Sequence, residues 1–356
     1  MVYLRILLPI LLFLHLRVYS LALKQDLIIS RPLEDVVPVP NQIYSRLHTY
    51  AHLLDIAYCI DGLRRIEEPF GCELDCSALF PHLQLVHQWY FEDSSCGYIA
   101  STNETLFDAN STENNGKYTI VVSIRGTRSV SDTMTDLNFD MTPFAVPGNA
   151  IPACGAQCKV HAGFHGYYKD ATAMVQPYVM SELKKGGPDA QVLIVGHSMG
   201  GSVGLLMALH FLSIGVENIY LVTMGQPLVG NREFAEWADF ALGSRYLLNL
   251  GPKNRKWLRV VHRNDIVTTI PRGSFLRRYE QFDNQIYLNV SAANAQPRAE
   301  QVVDCLLGDN RQCIAGDVLL PRLLSDYLLS HNTYFRHLGL CGIHSDKRDD
   351  QETRSF

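Results

Sequence analysis

The chain has 356 residues, of which 47% are hydrophobic and 19% charged. That apolar share builds a large packed core and excludes a disordered chain, and the length admits one large α/β domain or two smaller ones. Against 31 lysines and arginines stand 36 acids, a net charge of −5 with no long basic block. The electrostatic footprint of a nucleic-acid binder is missing, so no nucleic-acid partner is expected.

Residues 1–22 read as a secretory signal. Arg5 marks the charged start, Ile6 to Leu16 is an apolar core broken only by Pro9 and His15, and Ser20-Leu-Ala22 offers small residues for cleavage. The alternative, an uncleaved anchor, has too short an apolar run for a bilayer. No later stretch is apolar enough to span one, so a soluble, extracellular product is expected. Residues 23–40, with Pro32, Pro38 and Pro40, look like a propeptide or an irregular N-terminal arm.

From Asn41, Ile43, Leu47, Tyr50, Leu54 and Ala57 recur at helical spacing up to Cys59. Short strands are expected around Cys96–Ala100 and Thr105–Asp108. Tyr118–Ile124 is rich in β-branched residues and predicts a strand buried on both faces. Helical spacing runs from about Gly163 to Leu183 and is broken at Gly186-Gly-Pro188. Gln191–Val195, Ile219–Thr223 and Trp257–Val261 repeat the buried-strand pattern, with helices at Met199–Leu212 and Glu233–Leu242 between them. Strands alternating with helices predict a mostly parallel central sheet with helices on both faces. No repeat or linker divides the chain, so residues 41–344 are read as a single domain followed by a polar tail, 345–356.

Nine cysteines suit an oxidising destination. Cys72 and Cys76, Cys154 and Cys158, and Cys305 and Cys313 are close enough in sequence for small local loops. Cys59 and Cys341 lie near the two ends, where one bridge could tie them and contribute about 5 kcal/mol on the chain-entropy view. Cys96 is then the odd one out. No cysteine pair has zinc-finger spacing backed by nearby histidines, so no metal is expected. Sequons at Asn103, Asn110 and Asn289 are candidate glycosylation sites and agree with secretion.

The strongest local signal is Gly196-His-Ser198-Met-Gly200. It lies between a predicted buried strand and a predicted helix, where a serine on a sharp turn is held strained with its Oγ exposed. The helix N-terminus behind it favours developing negative charge. A glycine-rich turn with an incidental serine is the alternative, and the strand-turn-helix context favours a nucleophile. A serine hydroxyl needs a base, and the base an orienting acid, both later in the chain. Asp265 lies just past the strand Trp257–Val261, at the carboxyl end where α/β sites form. His262, His331, His337 and His344 all follow Ser198. His331, in an expected short loop between Leu328-Leu329 and Tyr334-Phe335, is the preferred base.

At this point the chain resembles the fungal class 3 lipases, especially the secreted triacylglycerol lipases of yeasts. The marks are Ile124-Arg-Gly126-Thr127, Val160-His-Ala-Gly-Phe164, Ile194-Val-Gly-His-Ser-Met-Gly-Gly201 and Gly225-Gln-Pro-Leu-Val-Gly-Asn231. Further on come Arg259-Val-Val-His-Arg-Asn-Asp265-Ile-Val267 and His331-Asn-Thr-Tyr-Phe335, so the likeness spans about Asn41 to Ile343. It implies an α/β-hydrolase fold with disulfides Cys59–Cys341, Cys72–Cys76, Cys154–Cys158 and Cys305–Cys313. It makes Ser198 the nucleophile, Asp265 the orienting acid and His331 the general base. Met199 and Thr127 become the oxyanion donors, and Asp136 the support for the Thr127 hydroxyl.

The same likeness implies a helical lid over Ser129–Asp140, where Val130, Met134 and Leu137 recur at helical spacing; the stretch is otherwise polar, and a surface helix that packs its apolar side down is an equal alternative. The expected reaction is hydrolysis of acylglycerol esters at a lipid–water interface by a monomer that needs no cofactor. A soluble-ester or feruloyl-type esterase of the same fold is the alternative, and a non-catalytic lipid-binding protein the second. One departure stands out: Thr268 occupies a position where relatives usually carry proline, which is expected to loosen the loop of the acid.

Overall fold

The computed structural model describes residues 36–91, 95–103, 106, 117–127, 139–243, 251–252, 255–271, 273–274, 277–291, 294–313 and 324–341. The predicted signal, the tail and most of the N-terminal arm lie outside them.

Strand β1 (Val37–Pro38) leads into helix α1 (Asn41–Ile56), a short helix α2 (Cys76–Leu79), β2 (Gln84–Tyr90), β3 (Cys96–Thr102) and β4 (Thr119–Arg125). A ribbon of β5 (Met141–Pro143) and β6 (Lys159–His161) precedes α3 (Ala162–Gly186). Then β7 (Gln191–His197), α4 (Met199–Ser213), β8 (Ile219–Met224), α5 (Arg232–Ala241) and β9 (Trp257–His262) alternate. A hairpin of β10 (Gly273–Ser274) and β11 (Arg277–Arg278), then β12 (Gln285–Leu288), β13 (Val302–Leu306) and α6 (Leu324–His331) complete the chain.

Among the described residues, nine strands form one sheet in the order β1-β13-β12-β9-β8-β7-β4-β3-β2. The central run β4-β7-β8-β9-β12 is parallel, and both margins are antiparallel. The alternation of side chains along each strand divides the core in two. Ile120, Val122 and Ile124 of β4, with Val192 and Ile194 of β7, pack under α3, α4 and α5 through Phe164, Val203, Leu206 and Phe234. Val121, Leu193 and Val195 point the other way, onto Ile43, Leu47 and Leu54 of α1. Helix α4 is apolar all round, and every residue of it except His210 is buried. Such a helix belongs inside a core, here directly behind the predicted nucleophile.

Disulfides Cys59–Cys341, Cys72–Cys76, Cys154–Cys158 and Cys305–Cys313 form, and Cys96 is buried outside these bridges, its Sγ donating to the Phe91 carbonyl (3.5 Å). Some elements differ from the sequence reading. Val37–Pro38, in the arm expected to be irregular, pairs with β13 as an edge strand. Of the strand expected over Thr105–Asp108, only Leu106 is described, and it lies in a turn. His331 is not in a loop but ends α6, whose eight residues are too few to show a helical period. Strand β2 carries His87 and Gln88 and is half-buried along most of its length, so no alternation marks it.

Candidate active site

Four neighbouring parallel strands end at one edge of the sheet, and each delivers part of the site. Gly126 and Thr127 follow β4, Ser198 follows β7, Gly225 follows β8, and Asp265 lies just past β9. In open α/β sheets this carboxyl edge is where ligands bind.

Ser198 has φ 55 and ψ −132, a left-handed backbone that a non-glycine residue adopts only when its surroundings impose it. They do so here. The Ser198 N–H donates to the Met224 carbonyl (3.0 Å), and the Ser198 carbonyl accepts from the Gly201 N–H (2.9 Å). A Cβ at Gly196 would lie 2.4 Å from the Gly200 carbonyl oxygen, and one at Gly200 2.3 Å from that of Ile124. Strand and helix therefore meet backbone to backbone, and the motif's glycines are required on packing grounds. Met199 begins α4, so its N–H belongs to the unpaired first turn.

Asp265 and His331 are both fully buried, and Nδ1 of the histidine lies 2.9 Å from each carboxylate oxygen. Because a carboxylate only accepts, Nδ1 carries the proton and Nε2 presents its lone pair. Nε2 is buried and has no hydrogen-bond partner among the described residues. The Val267 N–H (3.0 Å) and the Tyr334 hydroxyl (2.5 Å) complete the carboxylate's shell, and the His262 N–H in turn donates to the Tyr334 oxygen (3.1 Å). Burial, with Asp265 alongside, pushes the Tyr334 phenol well up, so it stays a donor. Gly225, at φ 63, leaves room for the pair: a Cβ there would be 3.0 Å from both Asp265 Oδ2 and His331 Cε1.

A second network joins the base to the loop after β4. His197 Nε2 donates to the His331 carbonyl (2.8 Å), its Nδ1 accepts from the Tyr58 hydroxyl (2.5 Å), and the Tyr58 oxygen accepts from the Gly126 N–H (3.2 Å). Gly126 also touches the nucleophile, since a Cβ on it would lie 3.2 Å from Ser198 Oγ. Thr127 is the next residue, so the chain that carries the predicted oxyanion donor is bolted to the serine's own neighbour. Asp136 and the lid positions Val130, Met134 and Leu137 lie outside the described residues.

The class 3 lipase family matches residues 121–275. Secreted mono- and diacylglycerol lipase 2 of Gibberella zeae is 32% identical over 367 residues, covering 90% of this chain and 86% of the relative. The chain belongs to the class 3 lipase family. Lipase A of Sodiomyces alcalophilus is 29% identical over 357 residues, covering 85% of this chain and 83% of its own. The crystal structure of Lip2 lipase from Yarrowia lipolytica superimposes with a TM-score of 0.70 at 29% identity, over 86% of this chain and 98% of that one. The fold is that of the α/β-hydrolases.

One reading of this class 3 lipase is corrected. Thr268 does not loosen the loop of the acid. Fully buried, it donates its hydroxyl to the Asp265 carbonyl (2.8 Å) and accepts from Gln281 Nε2 through its own carbonyl (2.8 Å). A threonine supplies a donor that a proline lacks, and it closes the turn by that route. Thr268→Val is therefore expected to cost about 1 kcal/mol of stability. An unchanged urea midpoint would show that the hydroxyl holds nothing.

Tyr58, His197, Gly225 and Tyr334 went unassigned in the sequence, although three of the four sit inside quoted motifs. Burial first, then the neighbouring His331, lowers the His197 pKa to about 3, and burial lowers that of His262 to about 4. Both lie below the ordinary 6.5, so the unfolded chain takes up these protons first. The stability contributed by the neutral rings is present above pH 6.5 and is lost as pH falls towards 4 and then 3. The Tm of this lipase is expected to drop between pH 7 and 5. His197→Gln keeps a donor and an acceptor without titrating, and its drop should be shallower. Identical slopes would remove His197 from that balance.

Proposed function

We propose that this chain is a secreted lipase that hydrolyses acylglycerol esters, triacylglycerol to diacylglycerol and fatty acid, through an acyl-enzyme on Ser198. His331 Nε2 takes the Ser198 proton as Oγ attacks the ester carbonyl, and Asp265 stabilises the imidazolium. The N–H of Met199, with the N–H and hydroxyl of Thr127, holds the oxyanion. The proton then passes to the leaving alcohol, and water repeats the sequence to release the acid. The observation that carries this reading is the buried Asp265–His331 pair, whose Nε2 has no hydrogen-bond partner among the described residues and whose imidazole lies against His197, the residue before the strained Ser198.

Membership of the lipase family supports the substrate class, and the word secreted in the name of the Gibberella relative supports the destination. In this reading residues 1–22 are removed, 23–40 form the arm, 41–344 the catalytic domain and 345–356 the tail. Asn103, Asn110 and Asn289 take glycans; Asn103 and Asn289 are exposed, and Asn110 lies outside the described residues. Diethyl p-nitrophenyl phosphate tests the nucleophile: peptide mapping should find the phosphoryl group on Ser198. A stoichiometric label on any other residue contradicts the assignment.

A further inference from the structure

The loop Asp61–Arg65 follows the buried Tyr58–Ile60 segment and ends on strand β2, and at its tip Leu63 is 98% exposed. Single exposed leucines are ordinary on protein surfaces. Two features set this one apart. The first is place. Tyr90, the last residue of β2, registers across Cys96 with Arg125, so it stands on the same edge of the sheet as Gly126 and Ser198. Gly62 packs against the Tyr90 hydroxyl, and the Arg65 guanidinium lies 5.5 Å from its ring. The loop that carries Leu63 therefore sits on the sheet edge that holds the active site, at its outermost strand.

The second is rigidity. Asp61 Oδ1 accepts from the N–H groups of Leu63 (2.8 Å) and Arg64 (2.7 Å), and the Asp61 N–H donates to the Arg64 carbonyl (3.1 Å). The Arg64 guanidinium folds back onto Asp61 Oδ2 (2.6 Å), so the loop's inner charges are matched. Both feet are fixed, one by the Cys59–Cys341 disulfide and the other by two 2.8 Å hydrogen bonds between Ile66 and Gln88. Partial burial raises the Asp61 pKa and the Arg64 bonds outweigh it, holding the carboxyl at about 2. A leucine held out by such a frame has little backbone entropy left to lose when it enters an apolar phase.

We propose that Leu63 is an insertion point that seats the active-site rim on a neutral acylglycerol surface. This rests on the acylglycerol reading of the site. The test uses Ser198→Ala protein, which leaves the lipid intact, floated with triolein droplets coated in phosphatidylcholine. Adding Leu63→Asp is expected to lower the droplet-bound to free ratio about tenfold, the order expected for one buried leucine, while Leu63→Phe keeps it. In otherwise wild-type protein, Leu63→Asp should slow hydrolysis of emulsified tributyrin and leave that of dissolved p-nitrophenyl butyrate unchanged. Equal flotation with and without Leu63→Asp overturns the proposal. An equal loss on the dissolved ester also overturns it, by placing Leu63 in the fold. A wild type inactive on both esters would count against the lipase reading, and flotation would still decide the role of Leu63.

Discussion

Ser198→Ala is expected to lower kcat on tributyrin by about 10⁶-fold. The size of the loss follows from how the site divides its work. On the proposed mechanism no covalent intermediate forms without Oγ, and His331, fixed by Asp265, loses the hydroxyl whose proton it would take. The substitution removes one atom at a buried position whose backbone is held by Met224 and Gly201, so the fold should persist. An unchanged Tm beside lost turnover would separate chemistry from stability. Residual activity within tenfold of wild type would require a different nucleophile.

Asp265→Asn has the next largest expected effect, about 10⁴-fold in kcat. The carboxylate has three donors around it: His331 Nδ1, which lies 2.9 Å from both oxygens, the Val267 N–H and the Tyr334 hydroxyl. An amide keeps one acceptor and turns the other into a donor facing groups that themselves donate. The imidazole is then driven to the tautomer with its proton on Nε2, which cannot accept the serine's. A KM near that of wild type with a collapsed kcat is the expected pattern. A loss under tenfold would mean that another residue orients His331.

Much of the site was legible because packing demands particular residues at particular places. Gly196, Gly200 and Ser198 announce themselves together, since only glycine permits the close approach that strains the serine. Buried strands such as Thr119–Arg125 were legible from their β-branched runs. Asp265 followed from its place at a strand end. His331 was preferred among four late histidines without any sign of the helix that carries it, because α6 has only eight residues.

The supporting residues were hidden by distance along the chain. Tyr58 reaches His197 across 139 positions, and Tyr334 reaches Asp265 across 69. Neither contact leaves a local pattern. Thr268 misled for a related reason: beside the family's usual proline it looks like a loss of stiffness, and only its 2.8 Å bond to the Asp265 carbonyl shows the substitute.

The most direct test of acylglycerol hydrolysis at Ser198 is the rate on tributyrin as its concentration is carried from below to above the solubility limit, with Ser198→Ala as the blank. A lipase with a surface-seated site should show its rate climb steeply once droplets form, with the blank flat throughout. Saturation below the solubility limit would contradict a lipid-surface enzyme and point to an esterase for dissolved substrates. A wild type no faster than the blank would contradict hydrolysis of this ester at Ser198 altogether.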